Sequence, residues 1–445
     1  GAQYGCVVVM EVATGRIKAI SNLTRVADST YAEAMNHAVA DAAEPGSTFK
    51  VAALLAALDE GLISIDDTVD TRWGVQRYCG KEMKDSHPCK ARFVTVRRAL
   101  ELSLNTGCSQ AILKAYRKDP ARFVAALRRM RLHEPTGVII PGEGLPVLRG
   151  PGDKLWSCTS LPWMSIGYEV ALTPLQMLTF YNAIANGGRM MQPQLVTHVS
   201  RNGRVVEEFA PRVLNDRICS QRALDDIREV LLGVVDSGTA TNLRGAHLPI
   251  AGKTGTAQIA RNGSYKQHGV SYQASFAGYF PADRPLYSAI VVVNGPTMSG
   301  YYANVVAGPI FREVADKIYS NRLELQEAGP VAASGFRAPA TMSGRADDLR
   351  TALSALGVPF IEEGEGQWLT TTAGDSAVAA VPRRMAGESS GMVPNVLGMG
   401  LRDALFLLEN RGLRVQVRGS GMVRRQSIAP GERAAPGAAI IIELA

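Results

Sequence analysis

The sequence predicts an α/β protein of the α+β type, in which an antiparallel sheet is flanked by helices and joined to a helical region. Strand-like segments lie near the start of the chain and again before residue 300, and helical segments lie between them. After residue 321 the composition shifts toward Gly, Ala, Pro and Ser, and two small helix–strand segments follow. We therefore expect a large first domain over 1–322, a degenerate small βα module over 338–386, and a second small module over 391–445.

The bulk composition is that of a large globular protein. The chain has 445 residues, of which 46% are hydrophobic and 20% are charged, and its net charge is +7. A mild basic excess over this length is typical of a solvated surface, and an anionic partner such as a cell-wall polymer or a membrane face is the alternative. No long Lys/Arg block is present, which argues against nucleic-acid binding. No apolar run is long enough to span a bilayer. Because the chain begins with Gly1 rather than Met, we expect it to be part of a longer protein.

The predicted sheet uses segments from both ends of the first domain. Residues 5–21 have the β-branched and alternating pattern of a hairpin, and 250–295 contain three further strand-like segments separated by turns. We expect the hairpin to join the same antiparallel sheet as the late strands. The segment NVVAGPIFREVADKIYS then supplies a closing helix.

Helical segments fill the middle of the first domain. Residues 51–58 are apolar on nearly every face, so this helix should be buried, and Gly61 fits its C-terminal end. A second helical stretch breaks at Ser103–Asn105. Pro174 and Gly187–Gly188 bound a third helix, and ALDDIREVLLGVVDSGTA predicts a fourth.

Six cysteines are present, and none shows the paired spacing of a metal site. Cys79 and Cys89 flank the polar loop GKEMKDSHP and would close a disulfide in an oxidising compartment. Two unrelated free thiols explain the same spacing equally well.

A serine and a lysine three residues apart open the buried helix, in the stretch EPGSTFK. At this spacing Ser47 and Lys50 lie on one helix face, near a helix N-terminus whose backbone N–H groups favour developing negative charge. A serine hydroxyl needs a base to become a nucleophile, and burial would keep Lys50 neutral part of the time. The structural alternative is an N-cap serine followed by a lysine whose ammonium reaches solvent.

The second candidate motif is Ser103-Leu104-Asn105, in the break between two helical stretches. A hydroxyl and an amide two residues apart on a loop suit proton relay and the binding of a substrate amide. A local hydrogen bond from side chain to backbone would explain the same pattern without any chemistry.

The third candidate motif is Lys253-Thr254-Gly255-Thr256, within a predicted strand. A glycine inside a strand indicates that another segment approaches the backbone closely. Lys253 and Thr254 suit the binding of a carboxylate, and the Thr256 N–H suits an oxyanion. An ordinary edge strand with a bulge is the alternative.

Together the three motifs are specific, because a serine–lysine pair, a serine–asparagine loop and a K-T-G strand occur in this order in penicillin-binding proteins and class A β-lactamases. The chain resembles a class B penicillin-binding protein, a peptidoglycan D,D-transpeptidase, most like the septal cell-division type. The resemblance also rests on VVVMEVATGRIKAISN, SIGYEVALTPLQMLTFYNAIANGG, DSGTA and AGKTGTAQ. It implies the penicillin-binding/β-lactamase-like transpeptidase fold. Residues from Met392 onward resemble a PASTA module, and the segment before them resembles a degenerate copy.

The resemblance implies a role for each motif residue. Ser47 would be the acylated nucleophile and Lys50 its base. The other motif residues would relay the proton, hold the peptide and its carboxylate, or complete the oxyanion hole: Ser103, Asn105, Lys253, Thr254, Gly255 and Thr256. No metal or organic cofactor is implied. Two positions depart from many relatives: Leu104 replaces a small or polar residue, and Glu169 replaces a glycine.

The implied reaction joins two peptidoglycan stem peptides. The serine would attack the D-Ala-D-Ala end of one stem, release D-Ala and pass the acyl group to an amine on a neighbouring stem, and β-lactams would acylate the same serine. A glycosyltransferase and divisome membrane proteins are the implied partners, with the native protein anchored on the periplasmic face of the inner membrane. A D,D-carboxypeptidase, a β-lactamase and a penicillin-binding sensor without turnover share the motifs. The tail would either bind ligand or act as a spacer.

Overall fold

The computed structural model divides into two compact units, Gly1–Leu325 and Gln326–Ala445. It describes residues 1–87, 89–259, 271–298, 300–322, 325, 338–383 and 391–445. The linker-like stretch predicted after residue 321 lies largely outside the described residues. None of the helices in these ranges is both long and apolar enough to cross a membrane.

The helices of the first unit carry most of its buried side chains. They are α1 (His37–Ala40), α2 (Lys50–Asp59), α3 (Val96–Glu101), α4 (Asn105–Tyr116), α5 (Pro120–Arg129), α6 (Ser160–Met164), α7 (Pro174–Ala185), α8 (Gln221–Asp236) and α9 (Ala303–Asn321). Short 3-10 turns occur at Gly46–Thr48, Arg72–Gly74 and Thr241–Leu243.

The strands of the first unit form one main sheet and several two-stranded pieces. They are β1 (Tyr4–Glu11), β2 (Ile17–Ala27), β3 (Thr30–Ala32), β4 (Thr68–Asp70), β5 (Val75–Tyr78), β6 (Lys81–Lys84), β7 (Phe93–Thr95), β8 (Val147–Leu148), β9 (Val170–Ala171), β10 (Met190–Met191), β11 (His198–Arg201), β12 (Arg204–Glu208), β13 (Val213–Asn215), β14 (Ala251–Gln258), β15 (Tyr272–Phe280) and β16 (Tyr287–Asn294). The small pieces pair β4 with β7, β5 with β6, β8 with β9, β10 with β13 and β11 with β12.

The main sheet is antiparallel and has the strand order β14-β15-β16-β1-β2-β3. The N-terminal hairpin therefore joins the late strands, as the sequence predicts, with Tyr4 opposite Asn294. The outer part of β2 and the short β3 were not predicted. Most of their side chains are exposed, so they lack the alternation of apolar and polar residues that marks a strand covered on one face.

Alternate residues of β1 face two different hydrophobic clusters. Val8 and Met10 pack in the cluster that contains α2 and α7, and Val9 packs on the other face in the cluster that contains Phe311 of α9. Successive side chains of a strand point to opposite faces, so a sheet covered on both faces needs apolar residues at every position. This explains the continuous apolar run of β1.

The helix α2 is buried along its whole length, as its all-apolar pattern predicts. Every side chain from Lys50 to Leu58 is buried, and the helix packs against α4, α5 and α8. Gly61 follows its end with φ +65°, and its N–H donates to the Leu58 carbonyl at 3.0 Å. The helix that begins at Pro174 is likewise buried throughout, and a capping box at Thr173 starts it.

The second unit contains two similar arrangements in sequence. Its elements are β17 (Gly344–Arg345), α10 (Ala346–Ala355), β18 (Phe360–Glu362), β19 (Trp368–Thr372), β20 (Val378–Pro382), α11 (Leu401–Glu409), β21 (Arg414–Gly419), β22 (Val423–Gln426) and β23 (Ala439–Leu444). In the first arrangement β20 pairs in parallel with β18 and antiparallel with β19; in the second, β23 pairs in parallel with β21 and antiparallel with β22. The helix–glycine–strand rhythm shared in sequence is therefore shared in topology.

Neither alternative for Cys79 and Cys89 holds: the two are not bonded to each other, and they are not both free thiols. Cys79 is bonded to Cys158, and Cys89 is a half-buried free thiol. The physical reason is the tight hairpin of β5 and β6, in which Tyr78 pairs with Lys81 and Cys79 stands in the turn. Cys89 follows the far end of β6, so the hairpin keeps the two cysteines apart.

We expect Cys79→Ser to lower the midpoint of thermal unfolding in non-reducing buffer. The bond closes a loop with a sequence separation of 79 residues. Cross-links over long loops stabilise a fold by about 2–4 kcal/mol, chiefly by restricting the unfolded chain. Cys89→Ser is the matched control and should melt with the unaltered chain. A Cys79→Ser midpoint equal to that of the control and of the unaltered chain would show that the Cys79–Cys158 bond contributes nothing to stability.

Candidate active site

A cavity of about 760 Å³ in the first unit is lined by residues from all three predicted motifs. Those at its wall are Ser47, Ser103, Asn105, Thr254 and Thr256. Lys50 and Lys253 are completely buried, and both make contacts with the motif residues at the wall. Gly255 lies in β14 against the segment that carries the serine. The fold thus brings the eight predicted site residues together.

The 3-10 turn before α2 presents Ser47 to the cavity. Gly46 has φ +56°, and its N–H donates to the Gly167 carbonyl at 3.1 Å. On the other side of the turn, the Tyr181 hydroxyl donates to the Thr48 carbonyl at 2.9 Å, in the core. Ser47 is half-buried between these fixed neighbours. The backbone around it is therefore held from both sides.

The Lys50 side chain points from α2 to the second motif. Its Nζ lies 2.7 Å from Asn105 Oδ1, 2.7 Å from the Ser103 carbonyl oxygen and 3.3 Å from Ser103 Oγ. Desolvation lowers the pKa of Lys50, and the anionic forms of Cys108 and Asp85 act in the opposite direction. Complete burial excludes the alternative in which this lysine extends its ammonium into solvent.

The second motif occupies the predicted break between helices. α3 ends at Glu101, Ser103 has φ +57°, and α4 begins with Asn105. The Asn105 Nδ2 donates to the Lys84 carbonyl at 2.7 Å, which leaves its Oδ1 facing Lys50. Leu104 is buried in the main cluster, so the apolar residue at this position serves packing while both polar neighbours remain at the lysine.

The third motif buries a second lysine close to the first. The Nζ of Lys253 donates to the Thr254 carbonyl at 3.0 Å. Desolvation and the nearby charge of Lys50 hold the pKa of Lys253 well below its ordinary value. When one of these two lysine amines carries a proton, its positive charge therefore disfavours protonation of the other. The Thr254 hydroxyl is 2.7 Å from that of Thr239, which fixes it at the cavity wall.

Gly255 allows β14 to approach the turn that carries Ser47. A Cβ at this position would lie 2.8 Å from Thr48 Cγ2 and would also collide with Ser275 Oγ. β14 pairs with β15 in continuous register and is the edge strand of the described sheet. The predicted close approach is therefore present, and the alternative of a bulge is excluded.

Several cavity residues were not predicted from the sequence. Thr239 belongs to the stretch DSGTA, which supports the resemblance but carried no assigned role. Tyr272 stacks on Tyr301 with ring centroids 4.0 Å apart, and Tyr301 lies against Tyr302 at 4.5 Å. These tyrosines line the cavity from separate segments. Single aromatic residues in strands and loops carry no pattern that would have marked them. Asp85 also lines the cavity and lay unrecognised in the polar loop after Cys79.

Glu169 keeps a backbone conformation that normally favours glycine. Its φ is +58°, a backbone conformation in which a glycine would be free of strain. The Glu169 N–H donates to Glu44 Oε1 at 2.9 Å, and its carboxylate accepts from Ser160 Oγ at 2.5 Å. These bonds hold the loop next to Gly167, which itself contacts Gly46. The departure at Glu169 therefore leaves the support of the serine turn in place.

Comparisons with known proteins agree with this geometry. Residues 5–316 match the family described as "Penicillin binding protein transpeptidase domain", and residues 391–445 match the family described as "PASTA domain". Over 321 residues the chain is 29% identical to the probable peptidoglycan D,D-transpeptidase PenA of Neisseria flavescens, covering 70% of this chain and 74% of that relative. Over 321 residues it is 28% identical to the peptidoglycan D,D-transpeptidase FtsI of Escherichia coli K12, covering 70% of this chain but only 50% of that relative.

A solved structure shows the same fold. Penicillin binding protein 3 from Mycobacterium tuberculosis, in complex with aztreonam, aligns with a TM-score of 0.61 at 27% identity. The alignment covers 72% of this chain and 73% of that chain.

A covered antiparallel sheet with a serine–lysine pair at its cavity defines the class of penicillin-recognising serine proteins. Since the first family match extends over most of the chain, the chain belongs to the family of penicillin binding protein transpeptidase domains, and it carries a PASTA domain. The predicted resemblance to a class B penicillin-binding protein and the predicted transpeptidase fold are confirmed.

We expect the rate of labelling by a fluorescent penicillin to rise with pH, with a midpoint below the ordinary lysine pKa of about 10.4. Lys50 can accept the Ser47 proton only when it is neutral, and desolvation lowers its pKa, so the neutral fraction grows as pH rises through that lowered value. The measurement is the second-order labelling rate from about pH 5 to about pH 10. Lys50→Met should lose this dependence together with most of the rate. A rise confined to pH values near that of free lysine would contradict the expectation.

Proposed function

We propose that this chain is a peptidoglycan D,D-transpeptidase that acts through an acyl-enzyme on Ser47. The observation that carries the proposal is the meeting of the Ser47 turn, the buried Lys50 amine and the β14 edge at one cavity. The chain's family, and relatives named as peptidoglycan D,D-transpeptidases, support the same reaction.

Acylation begins with Lys50 as the base. A neutral amine keeps two N–H donors, which match its two acceptors at 2.7 Å, Asn105 Oδ1 and the Ser103 carbonyl. Its lone pair is then available for the Ser47 proton. The Ser47 Oγ attacks the carbonyl carbon of the penultimate D-Ala, the C–N bond breaks, and the terminal D-Ala leaves as an amine. The proton held by Lys50 returns to that amine through the Ser103 hydroxyl, 3.3 Å away.

The oxyanion of the tetrahedral intermediate is assigned to two backbone N–H groups, those of Ser47 and Thr256. An edge strand leaves alternate N–H groups without a partner strand, and β14 is such an edge. A preorganised pair of donors of this kind is worth several kcal/mol to the transition state, on the order of 3 kcal/mol for each donor. Gly255 has a role here because it sets how closely the strand approaches the serine turn.

The substrate carboxylate is assigned to the hydroxyl of Thr254 and the charge of Lys253. The Thr254 hydroxyl is oriented by Thr239 at 2.7 Å. Lys253 is completely buried behind the strand, so its charge would act on the carboxylate without competing hydration. An anionic substrate group would also favour the protonated form of Lys253 and so stabilise the bound complex.

In the second half-reaction an amine from a neighbouring stem peptide replaces water as the acceptor. The amine loses a proton to Lys50 and attacks the ester carbonyl, and Ser47 Oγ leaves with that proton. A hydrolytic β-lactamase would instead need a base for water. In the described lining Asp85 is the only carboxylate, and both of its oxygens accept from Thr106. Glu143 is engaged with Thr136 in a separate loop.

Carboxypeptidase or sensor activity is distinguished by the products. With a D-Ala-D-Ala peptide or thioester, a transpeptidase releases D-Ala faster when an acceptor amine is added and forms the cross-linked product. A carboxypeptidase releases D-Ala at the same rate in water alone, and a sensor forms the acyl adduct without further release.

The wider setting of the protein is also part of the proposal. We assign it to septal cell-wall synthesis on the extracytoplasmic face of the inner membrane, beside a glycosyltransferase and the divisome membrane proteins, and with a membrane anchor in the native protein. The relative named peptidoglycan D,D-transpeptidase FtsI supports the part of this assignment that concerns peptidoglycan synthesis. We further propose that the arrangement over 338–383 is a degenerate copy of the PASTA domain at 391–445, since the two share one topology.

We expect Ser47→Ala to abolish labelling by a fluorescent penicillin and the release of D-Ala, because no other group would form the acyl-enzyme. Intact-mass measurement followed by sequencing of the modified peptide identifies the acylated residue. Ser86→Ala is the matched control, since Ser86 is an exposed serine at the wall of the same cavity, and it should label normally. An adduct on any residue other than Ser47 would overturn the mechanism.

Removal of residues after 390 should leave the penicillin labelling rate within about twofold of the full chain. The transpeptidase family match ends at residue 316, before the PASTA domain, and the lining of the cavity comes from the first unit. The same truncation tests the two roles of the tail. Loss of binding to purified peptidoglycan sacculi would identify a ligand-binding arm, and unchanged binding would identify a spacer.

A further inference from the structure

Two residues at the end of β6 hold the first turn of α4. The Thr106 N–H donates to Asp85 Oδ1 at 2.9 Å, and the Thr106 hydroxyl donates to Asp85 Oδ2 at 2.8 Å. The residue at the N-cap position, Leu104, provides no side-chain acceptor. A carboxylate from a distant hairpin therefore supplies the cap that the helix itself lacks, and its charge suits the helix N-terminus.

The same segment orients the amide of the second motif. The Lys84 carbonyl accepts from Asn105 Nδ2 at 2.7 Å. A side-chain amide has one donor end and one acceptor end, so fixing Nδ2 on this carbonyl directs Oδ1 toward Lys50 Nζ, 2.7 Å away. The hydrogen bond between Asn105 and Lys50 thus depends on the position of the Lys84–Asp85 segment.

The Asp85 carboxylate is largely buried and has no ion-pair partner among the described residues. Burial raises the pKa of Asp85, while the bonds from Thr106 and the charge of Lys50 act in the opposite direction. The titratable groups that face Asp85 and Lys50 come from several packed elements: Tyr78 of β5, Cys108 of α4 and Lys253 of β14. A largely buried carboxylate in the lining of a cavity that also holds a completely buried lysine loses more hydration than a helix cap requires.

We propose that Asp85 is a positioning residue of this active site: through its hydrogen bonds to Thr106 it holds the turn of Asn105 against Lys50. The inference rests on the proposed function, in which Lys50 is the base. Asp85 then acts in two ways that are separable by substitution. Its hydrogen bonds place the acceptor of the lysine, and its charge sets the pH range in which the lysine is neutral.

The experiment measures the second-order rate of labelling by a fluorescent penicillin against pH for the full chain and three variants. Asp85→Asn keeps the shape and an acceptor for the Thr106 N–H but removes the charge. Thr106→Val keeps the charge but removes one of the two hydrogen bonds. Asp85→Ala removes both the charge and the bonds. Circular dichroism and the thermal midpoint of each variant are recorded in the same buffers.

The rising limb is the part of the rate–pH profile in which the labelling rate increases with pH. We expect Asp85→Asn to move this limb to lower pH by about half a unit or more, because a lysine without this neighbour loses its proton more readily. Its plateau should stay within about threefold of the unaltered chain. Thr106→Val should keep the limb in place. Asp85→Ala should show the same shift of the limb and a plateau lower by about tenfold or more, since Asn105 is no longer held against Lys50.

Three results would overturn the inference. An unmoved limb in Asp85→Asn would show that the charge does not act on the lysine. Loss of the limb altogether in that variant would assign the titration to the carboxylate itself. A normal plateau in Asp85→Ala would show that the segment does not position Asn105. Failure of the acyl-enzyme mechanism, on which the inference rests, is distinct, because the unaltered chain would then not label at Ser47 at all. Failure of transpeptidation alone would appear as D-Ala release that does not respond to an acceptor amine, and it would leave the inference about Asp85 in place.

Discussion

Two lysine side chains, Lys50 and Lys253, are buried in one site, and the rest of the active site follows from that constraint. A buried ammonium loses its hydration, so each lysine must either donate hydrogen bonds to nearby acceptors or release its proton. Asn105 and the Ser103 carbonyl accept from the first lysine, and the Thr254 carbonyl accepts from the second. The polar residues of the predicted motifs are thus also the groups that make the burial of two amines tolerable.

Small residues at a few backbone contacts hold the three motifs together. Gly255 lets the edge strand β14 lie close to the turn that carries Ser47, and the Gly46 N–H donates to the Gly167 carbonyl. These contacts join segments that are far apart in the chain. An added methyl group at Gly255 would force the strand and the serine turn apart, which would move Thr256, the oxyanion donor proposed on the strand, away from Ser47. Placement of the reacting groups therefore depends on backbone packing as much as on the reactive side chains.

Local signals explain most of what could be predicted from the sequence. The apolar α2, the capped helix at Pro174 and the strands on both sides of the sheet follow from periodicity and turn residues, and the three motifs together indicated the site. The Cys79–Cys158 bond and the role suggested for Asp85 could not be predicted in this way. Both join segments distant in sequence, and a pairing of this kind leaves no periodic pattern in either segment. The short β3 escaped prediction because it is mostly exposed.

The strand order has a consequence for how the protein folds as it is synthesised. β1 is a central strand, yet one of its neighbours is β16. The pairing of Tyr4 with Asn294 therefore cannot form until the chain has been synthesised beyond residue 294. Such a sheet has high contact order and closes late, after nearly the whole catalytic unit has emerged. Until then the apolar residues of β1 lack cover on one edge and are exposed to wrong pairing.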